Sequence, residues 1–425
     1  MYHQIKIKGL VQGVGFRPFI YNLAVWMELV GYVTNSAYGV LIVLRATQKQ
    51  LNLFLHQIDT QKPKLSEIES LEIETIKSNE IFTQFQIKES QNSIELSSKI
   101  PTDLAMCQEC QDEMEDKNNR RYRYPFISCV NCGPRFSIIK NLPYDRDKTS
   151  MDSFVMCKDC EVEYKNPKDR RYHAQPIGCF ECGTQLTDEN SIESVVASIK
   201  DGKIVAIKGV GGYHLVCDAT NDVVVQLLRE RKQRPSKPFG VMVQNLEVVK
   251  TLTYTNEKEL ELLSSHRRPI VLLKKKESDI LSENIAKNID QIGVFLAPTP
   301  LYHLILAKLD RAIVVTSANL SGEPLCKNRE DIMKLSYVWD YLLDNNREII
   351  NSCDDSVVFV EDEQEFILRG ARGYAPTYLK LPNPSPKKLL CLGANQKSTV
   401  AICVEERVIL SPYIGDLDGV KTIEH

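Results

Sequence analysis

No apolar run in the 425 residues is long enough to cross a bilayer; the best candidate, Gly293 to Leu309, is interrupted by Pro298, Pro300 and His303. Nor is there an excess of charge. The 53 basic and 56 acidic side chains leave a formal net charge of −3, which gives no global attraction to nucleic acid or to an anionic membrane, so any polyanion site has to be local. A secretory leader is also lacking, because Met1 runs straight into the strand-like Ile5-Lys6-Ile7 without a charged and then apolar stretch. These absences predict a cytoplasmic protein with no membrane or nucleic-acid partner. The length predicts roughly three domains.

What the chain does have is cysteine, concentrated in one place. Eight of its 13 cysteines lie between Cys107 and Cys182 as four CxxC pairs: Cys107/Cys110, Cys129/Cys132, Cys157/Cys160 and Cys179/Cys182. The second half repeats the first at a shift of 50 residues, and Arg120-Arg121-Tyr122 returns as Arg170-Arg171-Tyr172, so the block is a tandem duplication. Within each copy, 18 residues separate the two pairs, the spacing of a four-thiolate zinc site. Two zinc ions are expected, structural because four thiolates leave no open coordination position. A disulfide framework would need an oxidising compartment, which the missing leader argues against. Spacing alone leaves open whether each copy closes on its own metal or the outer pairs cross.

The first 90 residues read as strand, glycine loop and helix: Ile5-Lys6-Ile7-Lys8, then Gly9-Leu10-Val11-Gln12-Gly13-Val14-Gly15-Phe16-Arg17, then a helical face of Phe19, Leu23, Met27 and Val30. Glycines at 13 and 15 let successive N–H groups converge on an anion in front of a helix N-terminus. Arg17 would add a fixed positive fork for a phosphoryl group. A hairpin follows through Gly31 to Asn35, a turn at Ser36 to Gly39 and Val40 to Leu44; then come a helix around Gln50 to Ile58 and strands near Leu71 to Ile76 and Phe85 to Lys88. This β-α-β-β-α-β order is ferredoxin-like. Val11-Gln12-Gly13-Val14-Gly15-Phe16-Arg17 with Gly31-Tyr32-Val33-Thr34-Asn35 and Gly39-Val40 closely resembles acylphosphatase. That resemblance implies that Arg17 binds the phosphate and Asn35 orients the attacking water. An acyl phosphate carries a good leaving group, so positioned charge and an oriented water suffice.

After the cysteine block, Ile192 to Lys200 reads as a helix and Lys203 to Lys208 as a strand entering a second glycine loop, Gly209-Val210-Gly211-Gly212-Tyr213-His214. The basic cluster Arg231-Lys232-Gln233-Arg234-Pro235-Ser236-Lys237-Pro238 follows, its prolines interrupting any helix. Without interleaved aromatics or a basic balance, these charges suit nucleotide phosphates better than nucleic acid. The strand Ile313-Val314-Val315-Thr316 then delivers Ser317-Ala318-Asn319-Leu320-Ser321-Gly322, small hydroxyl and amide groups able to bond a phosphate or a base. Together with Gly293-Val294-Phe295, Pro298-Thr299-Pro300-Leu301 and Ser356-Val357-Val358, these stretches resemble the YrdC family over about 180 residues. That resemblance implies an α/β fold that binds ATP with Mg2+ and forms an acyl-adenylate. In it Lys232, Arg234, Ser317 and Asn319 would hold the triphosphate, and Lys208, Tyr213 and Arg369 would line the substrate end. The Pro-Thr-x-Thr loop of the tRNA-modifying members is replaced by Lys208-Gly209-Val210-Gly211-Gly212, which weighs against threonylcarbamoyl chemistry. His214 reads as a polar wall residue rather than a base.

Pro382, Pro384 and Pro386 mark a linker. Leu389 to Cys403 and Val408 to Leu417 look like the first hairpin of an actin-like ATPase domain, too short to complete one, so a fragment of a longer protein is expected. The expected architecture is multidomain α+β and α/β: an acylphosphatase-like domain at 1–90, tandem four-cysteine zinc fingers at 105–185, a YrdC-like domain at 190–380 and the beginning of an actin-like domain at 386–425.

This order of parts resembles the HypF family, carbamoyltransferases that mature nickel–iron hydrogenases. The resemblance implies that carbamoyl phosphate is hydrolysed to carbamate, which passes by a shielded route to react with ATP as carbamoyl-adenylate. It further implies transfer to the C-terminal cysteine of the partner HypE, on the way to a cyanide ligand of the hydrogenase iron. Two other classes compete: a tRNA-threonylcarbamoyladenosine enzyme, and a zinc-dependent chaperone or nucleic-acid-binding module. The second leaves Arg17 and Asn35 without a role.

Overall fold

The computed structural model describes residues 1–36, 39–77, 80–88, 99–187, 191–320, 322–395 and 398–417. The middle of the expected turn at Ser36 to Gly39, together with Ser321, Gln396, Lys397 and 418–425, lies outside these residues. The chain forms two compact units, Met1–Pro101 with Ser128–Gly183, and Thr102–Ile127 with Thr184–His425.

In the first unit a five-stranded sheet runs in the order Glu67–Ile76, Tyr2–Leu10, Gly39–Arg45, Val30–Ser36, Phe85–Ile87. All neighbours are antiparallel except the last pair. Burial alternates along Tyr2–Leu10, so Ile5 and Ile7 reach the core while the lysines between them do not. Helix Phe16–Trp26 buries Phe16, Ile20, Leu23 and Ala24 on one face. Helix Gln48–Gln61 starts at a reciprocal capping box of Thr47 and Gln50 and buries Leu51, Phe54 and Ile58. The ferredoxin-like order expected from the sequence is the one present.

In the second unit a ten-stranded mixed sheet carries the core. Its order is Tyr341–Leu343, Val205–Lys208, Tyr213–Asp218, Ile313–Ser317, Gly240–Val243, Gln291–Leu296, Ile270–Lys275, Val357–Glu361 and Gln364–Arg369, with Thr253–Tyr254 pairing on Ile270–Lys275. Val205–Lys208 and Tyr213–Asp218 are buried along their whole length and Ile313–Ser317 up to its last residue, as near-continuous apolar runs require. Helix Asp222–Arg231 stops just before the two prolines, and Gln233 takes a left-handed φ of 52° to turn the basic cluster away.

A separate four-stranded sheet runs Thr377–Lys380, Arg407–Leu410, Val400–Val404, Leu389–Leu392. Its first strand comes from the range expected for the YrdC-like body, on the other side of the proline linker. Among the described residues no helix is long and apolar enough to cross a membrane.

Candidate functional site

The loop leaving Tyr2–Leu10 places Gly13 and Gly15 at φ of 70° and 78°, where a side chain is strained. Gly15 thereby opens helix Phe16–Trp26, whose first N–H groups have no partner within the helix. Gln12 pins this loop. Its Nε2 donates to the carbonyls of Ser36 and Gly39 at 2.7 and 2.9 Å, and its Oε1 accepts from the Tyr144 amide at 3.0 Å.

The loop encloses a pocket of about 30 Å³, which Arg17 and Asn35 line together with Val130, Arg135, Tyr144 and His173 to Pro176 of the cysteine-rich segment. Arg17 is 7% exposed, and its Nη2 donates to Oδ1 of Asp145 at 2.8 Å. Asn35 is buried on Val30–Ser36, and its Oδ1 meets no hydrogen-bond donor among the described residues. Such a buried acceptor costs about 1–3 kcal/mol until a donor reaches it; a water molecule is the smallest group that would serve. The two residues expected to bind phosphate and orient water therefore line one small pocket.

The wall from the cysteine-rich segment is built in detail. Arg135 donates to the carbonyls of Gly13, Cys132, Pro134, Cys129 and Val130 at 2.8–3.1 Å, stapling the glycine loop to the CxxC turn. His173, at a left-handed φ of 54°, packs against Tyr164 and Tyr172. Burial, then the charge of Arg17, lowers its pKa to about 4, so the imidazole is neutral at pH 7.

The cysteines converge within each copy, Cys107, Cys110, Cys129 and Cys132 in one set and Cys157, Cys160, Cys179 and Cys182 in the other, all Sγ atoms of a set lying within 4.8 Å of one another. The separations of Cys129 from Cys132, Cys157 from Cys179 and Cys179 from Cys182 are 3.7–3.8 Å. A tetrahedron of thiolates at the zinc–sulfur distance of about 2.3 Å has edges of about 3.8 Å, whereas a disulfide needs about 2.05 Å. The donor sets fit a zinc finger, and the pairing that spacing left open is local to each copy.

In the second unit a cavity of about 560 Å³ is lined by Lys232 to Gly240, Thr316, Ser317, Asn319, Asp354, Asp355, Arg369 and Tyr413 to Asp416, a volume in the range of nucleotide-sized ligands. Lys232 donates to the carbonyls of Ser317 and Asn319 at 2.6 and 2.5 Å and to Asn319 Oδ1 at 3.0 Å. Burial, reinforced by Arg234, lowers its pKa to about 7. Arg234 donates to Thr316 Oγ1 at 3.2 Å and, with Arg229, lies over the ring of Phe239. Arg369 pairs with Asp354 at 2.7 Å and lies over Tyr413.

Lys208 and Tyr213 do not reach this lining. They are tied instead into a buried polar cluster in which Tyr213 donates to Asp344 at 2.7 Å and Lys208 to the Asn345 carbonyl at 3.0 Å. The glycine loop between them packs closely: a Cβ on Gly211 would stand 2.2 Å from the Cys353 carbonyl oxygen. His214 is a buried wall residue, its Nδ1 2.8 Å from the Tyr302 hydroxyl and its Nε2 3.7 Å from Asp355. Sequence reasoning did not single out Asp145, His173, Tyr413 or Asp416. Their neighbours in the sites lie far off in sequence, and no local motif marks them.

Four families match the chain: acylphosphatase over residues 3–87, the HypF finger over 106–139 and 156–187, the telomere recombination family of Sua5, YciO and YrdC proteins over 197–371, and the HypF Kae1-like domain over 384–425. Among curated proteins it is similar to the carbamoyltransferase HypF of Synechocystis sp., 47% identical over 99% of this chain and 56% of that protein. It is likewise similar to the probable carbamoyltransferase HypF of Methanocaldococcus jannaschii, 45% identical over the same shares. A crystal structure of full-length HypF in its phosphate- and nucleotide-bound form superposes with a TM-score of 0.96 at 42% identity, covering 100% of this chain and 57% of that one. The chain thus spans a little over half the length of these relatives.

Proposed function

Because the chain belongs to the HypF family, we propose that it performs the two activating steps of a cytoplasmic carbamoyltransferase that serves hydrogenase maturation. In the first, carbamoyl phosphate sits in the small pocket with its phosphoryl group on the glycine loop and Arg17. A water held by Asn35 attacks phosphorus, the bond to the carbamoyl oxygen breaks, and carbamate and inorganic phosphate result. In the second, a carbamate oxygen attacks the α-phosphorus of ATP, held with Mg2+ in the large cavity, giving carbamoyl-adenylate and pyrophosphate. The acceptor of the carbamoyl group would be the C-terminal cysteine of HypE. Zinc in each cysteine set would hold the wall of the first pocket and take no part in the chemistry.

The observation that carries this reading is the presence of Arg17 and the buried, unsatisfied Asn35 Oδ1 in the lining of one small pocket beside the glycine loop. Positioned charge and an oriented water are what acyl-phosphate hydrolysis needs. ATP/pyrophosphate exchange by the zinc-loaded chain tests it. Exchange should require carbamoyl phosphate, and Arg234→Ala should reduce it at least tenfold by removing a half-buried cation from the triphosphate site. Exchange supported by bicarbonate and threonine instead would move the chain to tRNA modification.

Lys232 gives a pH dependence. A triphosphate favours the ammonium form, and the free site loses that proton as pH rises through about 7. ATP affinity should therefore fall between about pH 7.5 and 9, by up to about tenfold per pH unit, and Lys232→Met should abolish the slope. Calorimetric titration across this range checks it; a flat wild-type profile would show that Lys232 does not titrate with nucleotide binding.

A further inference from the structure

Asp145 lies outside the acylphosphatase match and between the two finger matches. Its carboxylate nonetheless takes the guanidinium of Arg17, Nη2 to Oδ1 at 2.8 Å, with the two side chains 8% and 19% exposed. Arg17 lines the anion pocket and Asp145 does not, so the carboxylate grips the arginine from outside the space a ligand would fill.

The backbone on either side of Asp145 is fixed to both halves of the pocket. The amide of Tyr144 donates to Gln12 of the glycine loop at 3.0 Å. The Arg146 guanidinium donates to the carbonyls of Gln175 at 2.5 Å, Ile177 at 3.2 Å and Phe154 at 2.9 Å. A carboxylate held this firmly can fix a long side chain that would otherwise sample many rotamers.

We propose that Asp145 is a positioning residue for the hydrolytic step: it orients the Arg17 fork before the phosphoryl group arrives, so that the developing charge meets a preset cation. This rests on the reading of the Arg17 pocket as the acyl-phosphate site.

The test uses the zinc-loaded full chain with Asp145→Asn and Asp145→Glu, inorganic phosphate as the binding probe and carbamoyl phosphate as substrate. Asp145→Asn should weaken phosphate binding about tenfold, by loss of one charge-assisted hydrogen bond, and lower kcat about ten- to a hundredfold. Zinc content should stay at two equivalents, and Asp145→Glu should restore part of both losses. In the Arg17→Ala background Asp145→Asn should add nothing, because the residue acts through the arginine. Unchanged or tighter phosphate binding in Asp145→Asn, or a loss that adds fully to that of Arg17→Ala, overturns the proposal. If Asp145→Asn loses metal, Asp145→Glu decides alone, and phosphate affinity equal to or above wild type overturns it. Wild-type chain that neither binds phosphate nor hydrolyses carbamoyl phosphate removes the acyl-phosphate reading itself, and this proposal with it.

Discussion

Arg17→Ala should lower kcat/KM for carbamoyl phosphate by about a thousandfold, measured as inorganic phosphate release. A fixed donor on developing phosphoryl charge is worth roughly two to three orders of magnitude, and an arginine on a transferring phosphoryl group can be worth more. The guanidinium here is buried, so water cannot replace it cheaply. Its removal also leaves Asp145 without the partner seen at 2.8 Å, a second source of loss. Arg17→Lys should fall between the two, since a point charge lacks the planar fork that meets two oxygens at once. Asn35→Ala should act mainly on kcat, because an oriented water matters at the moment of attack rather than in binding. If Arg17→Ala kept more than a tenth of the wild-type kcat/KM, the pocket would not be the site of hydrolysis.

Cys160→Ala should abolish that same hydrolysis from a distance. Cys160 is fully buried in a small cluster with Ala174, Ile177 and Cys179, and Ala174 is also part of the pocket wall. Four-thiolate zinc contributes about 10–16 kcal/mol in isolated finger peptides near pH 7, as much as the whole stability of a typical domain. Losing one ligand should release that metal, leaving about one equivalent by elemental analysis where two are expected of the wild type, and disorder the turn that carries His173 to Pro176. ATP binding in the cavity of the other unit should persist, which separates this effect from global unfolding. A Cys160→Ala chain with two equivalents of zinc and normal phosphate release would disconnect the wall from the metal.

The parts of the molecule that were legible in the sequence have local signatures. Cysteine spacing is one. The glycine loop ending in Arg17 is another, because left-handed glycines and a helix start occupy adjacent positions. Strand and helix order in the first unit followed from alternation in Ile5 to Lys8 and from the helical spacing of Phe19 and Leu23.

What was not legible depends on contacts far apart in sequence between unremarkable residues. Asp145 stands 128 positions from Arg17, and an aspartate in a polar connector carries no mark of its use. Lys208 and Tyr213, expected at the substrate end, are held by Asn345 and Asp344, and the glycine loop between them approaches Cys353 closely at Gly211; these partners too are distant in sequence. The pairing across the proline linker was not legible either. Thr377–Lys380 precedes it yet pairs with Arg407–Leu410 beyond it, and Tyr413 bonds back to the Gly370 carbonyl at 2.9 Å, so the chain's punctuation is not a structural boundary there.

The first unit is discontinuous in the chain, its sheet complete by Ile87 and the last of its pocket wall arriving with Pro176. During synthesis at roughly 5–20 residues per second, about 5–20 s pass between the two. Throughout that interval a newborn chain carries the glycine loop and Arg17 without the neighbours that orient them. On the proposed reading the hydrolytic site is thus born late, and if the cysteine sets hold zinc its completion waits on capture of a metal ion as well as on the ribosome. On that reading, a cell short of zinc would accumulate chains whose sheet is in place and whose proposed chemistry has never been switched on.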